Sequence, residues 1–230
     1  PRRVSPYFVP KMIANIAAGQ IAIKYGFQGP NQTVISACAS ANDAIGYSLR
    51  LLRAGDVDIV ISGGSEASVS PLPMAGFANM KALTQKNDVP SEASRPFDLD
   101  RKGFVMGEGA GILILETEDH AKNRNANIFA ELAGYGSTND AIHITQPIKG
   151  GYGAVKAMKL AVEDGKFNLK EINYINAHGT STYYNDKNET EAIHTLFGSH
   201  AKLLKISSIK SMTGHLLGAS GAIEAVACIK

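Results

Sequence analysis

Cysteine is scarce: Cys38 and Cys228 are the only two in 230 residues. Thiols so far apart in sequence make a disulfide framework a poor reading, and a reducing, cytoplasmic setting fits better. Excess charge is scarce as well. The 23 Lys and Arg face 21 Asp and Glu, a net charge of +2, so nothing global points to nucleic acid or to a membrane surface as a partner. No run approaches the ~18 consecutive apolar residues of a membrane span, and no signal peptide stands at the start. Metal-ligand spacings and low-complexity segments are missing too. "GEGAG" (107–111) lacks the spacing and the capped helix of a dinucleotide fingerprint, and "GASGA" (218–222) lacks the last glycine of a hydrolase nucleophile elbow. The expectation is therefore no metal and no bound cofactor.

What is present suits a soluble α/β protein. Hydrophobic residues make up 44% and charged residues 19% of a chain long enough for one large or two small domains. The chain opens at Pro1 and stops at Lys230 inside the amphipathic "GAIEAVACIK", with no cap or stop signal. It reads as a piece of a longer protein.

The pattern along the chain predicts a loop with a basic start, a helical stretch and a Gly-Pro-Asn turn, then a short buried strand over Thr33 to Ser36 that delivers Cys38. A helix follows from Asn42 to Ala54, with Ile45, Leu49 and Leu52 on one face. "VDIVISGGSEA" reads as a continuous apolar strand of a parallel or fully buried sheet. Residues 70–102 carry loop signals. "GFVMGEGAGILILETE" and "IFAELAGYGST" read as neighbouring strands. From Gly153 the order is helix, strand "INYINAHG", helix (Asp186 to Leu196), strand "LLKISSIKS", and helix from Leu217. Such alternation predicts α/β layering with parallel strands.

Four residues stand at strand-to-helix junctions, where open α/β sheets build their sites: Cys38 in "SACASA", His178 in "NAHGTST", Lys210 in "SSIKSMTGH", and His215 closing that stretch. Singly, each has a plain explanation: a small buried hydrophobe, two satisfied histidines, a surface charge. Their placement after buried apolar strands argues otherwise, because burying such groups is costly unless they are hydrogen-bonded. A cysteine at a helix N-terminus is expected to have a lowered thiol pKa and to act as a nucleophile. Neutral histidines can donate N–H bonds to an oxygen that gains charge. His120, His194, His200 and Cys228 sit in surface-like or apolar-face contexts and carry no assigned chemistry.

"ACASANDAIG", "NAHGTST", "NDKNETEA" and "KSMTGHLLGASGAIEA" resemble the motifs of the β-ketoacyl-acyl-carrier-protein synthases, in particular the type II elongating enzymes of bacterial fatty acid synthesis. The resemblance runs the whole length, including "PRRVSPYFVP" and "GFVMGEGAGILILE". It implies a thiolase-like α/β fold in α-β-α-β-α layers with two similar halves, of which 1–125 would hold the end of the first and 126–230 most of the second. It implies Cys38 as the nucleophile that carries the acyl chain, and His178 and His215 as donors to the malonyl thioester carbonyl. Lys210 matches the family's site lysine, and Glu224 the glutamate that holds it. Thr180 and Thr182 match positions that bind the phosphopantetheine arm, and His143 and Thr145 match pocket-lining positions. Arg2, Arg3 and Lys81 match positions used to dock acidic acyl carrier protein. A homodimer and no cofactor beyond the carrier's own arm are implied as well.

Tyr183 and Tyr184 depart from the family, which usually has proline after "HGTST"; they either narrow the entrance or contact the arm. A Gly-Phe-Gly-Gly segment that the family carries further on is not in this chain. A polyketide ketosynthase shares the Cys-His-His chemistry and is the near alternative. An inactive fragment or partner subunit is another, although Cys38 is retained where such partners replace it. A cysteine hydrolase would need an orienting Asn or Asp and stays open on sequence alone.

Overall fold

A computed structural model describes residues 3–230. The residues up to Ile35 form one compact unit and Ser36–Lys230 another. The first holds α1 (Phe8–Met12) and α2 (Ile16–Tyr25), the latter ending on Gly26 at φ 70°. A glycine there closes the helix in a left-handed turn at no steric cost.

The second unit runs α3 (Ser40–Ala54), β1 (Ile59–Glu66), α4 (Pro71–Asn79), β2 (Gly109–Glu116), α5 (Glu118–Asn123), α6 (Tyr152–Asp164), β3 (Tyr174–Asn176), α7 (Tyr183–Phe197), β4 (Lys205–Ser207), α8 (Lys210–Thr213) and α9 (Ser220–Ile229). The helix expected at 42–54 begins two residues earlier, and α7 begins three residues before its expected start. The alternation of helix and strand from residue 152 onward matches the sequence pattern.

Four expectations fail. β1 pairs antiparallel with β2, from Ile59 opposite Glu116 to Glu66 opposite Gly109, so its apolar run does not mark a parallel ladder. Residues 128–138 form no strand beside β2. They lie instead against α6, where the Tyr135 N–H donates to the Asp164 carboxylate. A Cβ on Gly134 or Gly136 would fall 2.3 or 2.1 Å from the Ala161 or Ala157 carbonyl oxygen. Thr33 to Ser36 is likewise outside any ladder. The region 70–102 is not all loop, because Pro71 opens α4 at a position where its missing N–H costs nothing.

Two features of this scaffold position the site. α3 and α9 pack on the β1–β2 pair and on each other, and glycines set how closely. A Cβ on Gly64 would lie 2.8 Å from the Gly218 carbonyl oxygen, one on Gly111 would lie 2.8 Å from the Ala222 backbone, and one on Gly221 would lie 2.4 Å from Asn42 Oδ1. The N-termini of α3 and α9 are thereby brought side by side. β3 and β4 pair in parallel, with Tyr174 opposite Lys205 and Asn176 opposite Ser207. Their C-terminal ends therefore face the same way, and α7 covers them through a core of Ile193, Phe197 and Ala201 with Ile175 and Met158.

Candidate active site

Cys38 lies in a single 3-10 turn, Ala37–Ala39, that runs into α3. Ala37 has φ 52°, a left-handed conformation that an alanine holds only when its surroundings over-determine it. They do. Ser36 N–H donates to Ser40 Oγ at 2.9 Å, Ser40 Oγ donates to the Ala37 carbonyl at 2.7 Å, and the Ser36 hydroxyl donates to the Asp43 carboxylate. The other oxygen of Asp43 accepts the Tyr135 hydroxyl. Sequence reasoning missed this brace, which no motif marks.

His215 follows Gly214 and is tied to residues 105–107: its N–H donates to the Val105 carbonyl at 2.7 Å, and Gly107 N–H donates back to the His215 carbonyl at 2.9 Å. Its Nδ1 accepts the Leu217 N–H at 3.2 Å and lies 2.9 Å from Ser220 Oγ. Its Nε2 lies 3.1 Å from Cys38 Sγ. The Phe104 ring stands edge-on to the imidazole, 5.2 Å between centroids.

His178 comes two residues after β3. Its backbone N–H and that of Gly179 both donate to the Glu189 carboxylate, at 2.7 and 2.8 Å. Glu189, within the "NDKNETEA" stretch, thus clamps the turn that carries the histidine. The His178 ring stands perpendicular to that of His215, 5.2 Å between centroids. Its Nδ1 lies 3.4 Å from Lys210 Nζ, and the same ammonium binds the Glu224 carboxylate from α9. Lys210 is 1% exposed, and a buried ammonium is tolerable only because this carboxylate neutralises it.

The electrostatics follow. Burial, then the Lys210 charge, pushes His215 down to about 3. Burial, Lys210 and His215 together push His178 well below its usual range. Both imidazoles are neutral near pH 7, so each carries one N–H. The partners decide which nitrogen holds it. A backbone N–H and an ammonium can only donate, so Nδ1 of each ring is the acceptor and Nε2 carries the proton. Cys38 departs from the sequence expectation. Burial pushes its thiol up and outweighs the pull of Lys210 and of the local backbone. What the arrangement offers is a sulfur at a helix start with two fixed N–H donors converging beside it.

Residues 1–121 match the family described as "Beta-ketoacyl synthase, N-terminal domain", and residues 129–230 match "Beta-ketoacyl synthase, C-terminal domain". This chain belongs to the β-ketoacyl synthase family. It is 50% identical over 228 residues to the mitochondrial 3-oxoacyl-[acyl-carrier-protein] synthase of Arabidopsis thaliana, covering 98% of this chain and 50% of that protein. It is 50% identical over 226 residues to 3-oxoacyl-[acyl-carrier-protein] synthase 2 of Staphylococcus aureus, covering 98% and 56%. The chain spans about half the length of these curated relatives.

Among solved structures, a type II polyketide synthase acyl carrier protein in complex with its ketosynthase matches with a TM-score of 0.97 at 40% identity. That match covers 100% of this chain and 56% of the other. A β-ketoacyl synthase from Burkholderia phymatum STM815 matches with a TM-score of 0.93 at 39% identity, covering 98% and 54%. The fold is accordingly the thiolase-like fold of the ketosynthases.

Of the residues singled out in the sequence, Cys38, His178, His215, Lys210 and Glu224 come together. Thr180 and Thr182, just past His178, have their hydroxyls 2.8 Å apart. His143 and Thr145 lie in an exposed local turn, where His143 Nδ1 accepts the Thr145 and Gln146 N–H groups at 3.1 Å. Lys81 is exposed, at the end of the α4 turn, with φ 55°. Arg3 is exposed in the first unit, and Arg2 lies outside the described residues. Tyr183 takes the first position of α7, where a proline is also at home. The Arg101 guanidinium lies over the Tyr183 ring and donates to the Thr182 and Tyr183 carbonyls. Among the described residues, no helix is long and apolar enough to cross a membrane.

Proposed function

We propose that the protein performs decarboxylative condensation of an acyl group held on Cys38 with malonyl-acyl carrier protein, giving β-ketoacyl-acyl carrier protein in the elongation step of fatty acid biosynthesis. The observation that carries this reading is the 3.1 Å approach of His215 Nε2 to Cys38 Sγ, with Nδ1 of His215 occupied by a backbone donor. In the first half-reaction, Cys38 sulfur attacks the acyl thioester carbonyl. The new C–S bond replaces the one to the carrier, and the thiol proton of Cys38 ends on the departing pantetheine thiol.

In the second half-reaction, malonyl thioester loses carbon dioxide, and its electron pair becomes an enolate. The Nε2–H groups of His178 and His215 stabilise that oxygen as it gains charge, a device worth roughly a hundredfold or more in rate per donor. The enolate carbon then attacks the acyl-Cys38 carbonyl. A C–C bond forms, the C–S bond to Cys38 breaks, and the thiolate returns. Lys210 holds the His178 tautomer, and Glu224 holds Lys210. Thr180 and Thr182 offer hydroxyls to the amide-rich pantetheine arm.

No cofactor is needed, because the carrier's arm brings both substrates. Arg2, Arg3 and Lys81 supply basic charge for the acidic carrier. A homodimer, in a cytoplasmic setting, is the expected assembly. Exposed apolar side chains on β2, Ile112 and Ile114, favour burial against further protein. The second reading, a type II polyketide ketosynthase, is favoured by the 0.97 TM-score to one such enzyme. The higher identity to 3-oxoacyl-[acyl-carrier-protein] synthases, 50% against 40%, keeps it second.

The test is intact-mass spectrometry after incubation with acyl-acyl carrier protein and then malonyl-acyl carrier protein. A gain of one acyl group, absent in Cys38→Ala, followed by release of a β-keto thioester two carbons longer, is expected. Accumulation of free acid would identify a hydrolase, and no acylation at all would identify an inactive partner subunit.

A further inference from the structure

One sulfur and two imidazole nitrogens, from Cys38, His178 and His215, all lie within 4.8 Å of one another. A thiolate with two neutral imidazoles is a donor set that zinc and related cations bind in proteins. No sequence spacing announces it, since the three residues come from distant loops. A metal there would occupy the nucleophile.

The hydrogen bonds work against that outcome. A metal takes the lone pair of a ring nitrogen, so the other nitrogen must carry the proton. Metal-bound histidines satisfy this by donating that N–H to a carboxylate, a carbonyl or water. Here the outer partners have the opposite polarity. Nδ1 of His178 faces the Lys210 ammonium at 3.4 Å, and Nδ1 of His215 faces the Leu217 N–H at 3.2 Å. Binding through Nε2 would leave an Nδ1–H pointing at a donor in each case.

The two locks differ in strength. His215 has a way out, because Ser220 Oγ lies 2.9 Å from its Nδ1 and can accept a proton there. His178 has no such exit. Its Nδ1 meets the Nζ of a buried lysine that is pinned by Glu224 and can only donate there.

We propose that Lys210 acts as a metal-excluding residue, holding the Cys38–His178–His215 cluster in donor tautomers so that thiophilic divalent cations do not capture the nucleophile. The inference rests on the geometry of these side chains and not on the acyl-transfer reading, so its test reads metal binding directly.

Zinc affinity is measured by calorimetry on the wild type, Lys210→Met and Lys210→Met/Cys38→Ala, with folding checked by circular dichroism. Groups that hydrogen-bond to metal ligands typically change metal affinity by about 10- to 100-fold. Lys210→Met is expected to bind zinc at least about tenfold tighter than the wild type, and the gain is expected to vanish when Cys38 is also removed. Equal affinity in wild type and Lys210→Met overturns the proposal, as does a gain that survives loss of Cys38. The wild type decides the matter even where the variant fails to fold. Micromolar zinc that protects Cys38 from alkylation overturns the proposal, and alkylation at an unchanged rate supports it. Activity enters neither arm, so failure here and failure of the condensation reading are separate results.

Discussion

Replacing Glu189 with glutamine separates the two half-reactions. The carboxylate accepts two backbone N–H bonds, from His178 at 2.7 Å and Gly179 at 2.8 Å, and Asn185 Nδ2 lies 3.4 Å from the same group. Burial pushes the Glu189 carboxyl up, and the two N–H donors pull it back. Glutamine keeps one acceptor oxygen and sets an amide N–H against the other backbone donor. One buried N–H then goes unsatisfied, at a cost of roughly 1–3 kcal/mol. The melting temperature should fall by about 2–4 °C for each kcal/mol in a chain of this length.

The effect on chemistry should be unequal. His178 sits on the clamped turn, whereas Cys38 and His215 are held by separate contacts to Ser36, Ser40, Val105 and Leu217. A displaced His178 withdraws one of the two donors to the enolate oxygen, a loss of roughly 10²-fold or more. Cys38 acylation should proceed at close to the wild-type rate. The assay follows both steps on one sample, acylation by intact mass and decarboxylation by carbon dioxide release. Equal loss in both steps would mean that Glu189 supports the fold in general. No loss in either would mean that the clamp does not position His178.

Two further outcomes follow from burial and close packing. His178 and His215 are neutral in the fold, with pKa values below the usual 6.5. The unfolded chain therefore binds protons first as pH falls. The stability contribution is complete above pH 6.5 and declines toward about pH 3, the value for His215, by up to about 1.4 kcal/mol per pH unit for each histidine. Urea midpoints between pH 6.5 and 5 should fall less steeply in His215→Asn, and identical slopes would refute the assignment. In Gly46→Ala, the new methyl would lie 2.1–2.3 Å from Tyr135 ring atoms. The ring must move off Asp43, at a cost of about 1–3 kcal/mol. Tyr135→Ala should relieve that cost in the double variant, and strictly additive losses would contradict it.

The candidate site residues were legible by an unusual side chain and by their expected position after an apolar strand. His178 and Lys210 do follow strands, β3 and β4, whereas Cys38 follows a segment outside any ladder and His215 follows α8. Glu224 was legible only through the resemblance, since a helix-borne glutamate has a plain surface explanation. Glu189 and Asp43 were not legible as braces, because their partners are a backbone N–H pair and two hydroxyls that leave no pattern in sequence. The antiparallel pairing of β1 with β2 escaped for a related reason. An apolar run of this kind reports burial, not the direction of its neighbour. The Cys38 thiol was misjudged because a helix start is visible in sequence, whereas the burial that outweighs it belongs to the assembled site.

The sign of one neighbour also separates the readings that sequence left open. A cysteine hydrolase needs an imidazole that takes the thiol proton at the nitrogen facing sulfur, which requires the far nitrogen to carry a proton and give it to an Asn or Asp. Here the far nitrogen of His215 accepts a backbone N–H, and that of His178 faces an ammonium. No Asn or Asp stands at either far nitrogen: His178 cannot act as that base while Lys210 stays in place, and His215 has only the Ser220 hydroxyl as an alternative acceptor, whereas both rings can donate to an oxygen. A carboxylate in place of Lys210 would reverse the His178 tautomer and push the same three side chains toward hydrolysis or metal binding. The buried Lys210–Glu224 pair is therefore not spare charge beside the site. Its orientation, with the ammonium toward His178 and the carboxylate behind it, decides which way the imidazole proton points.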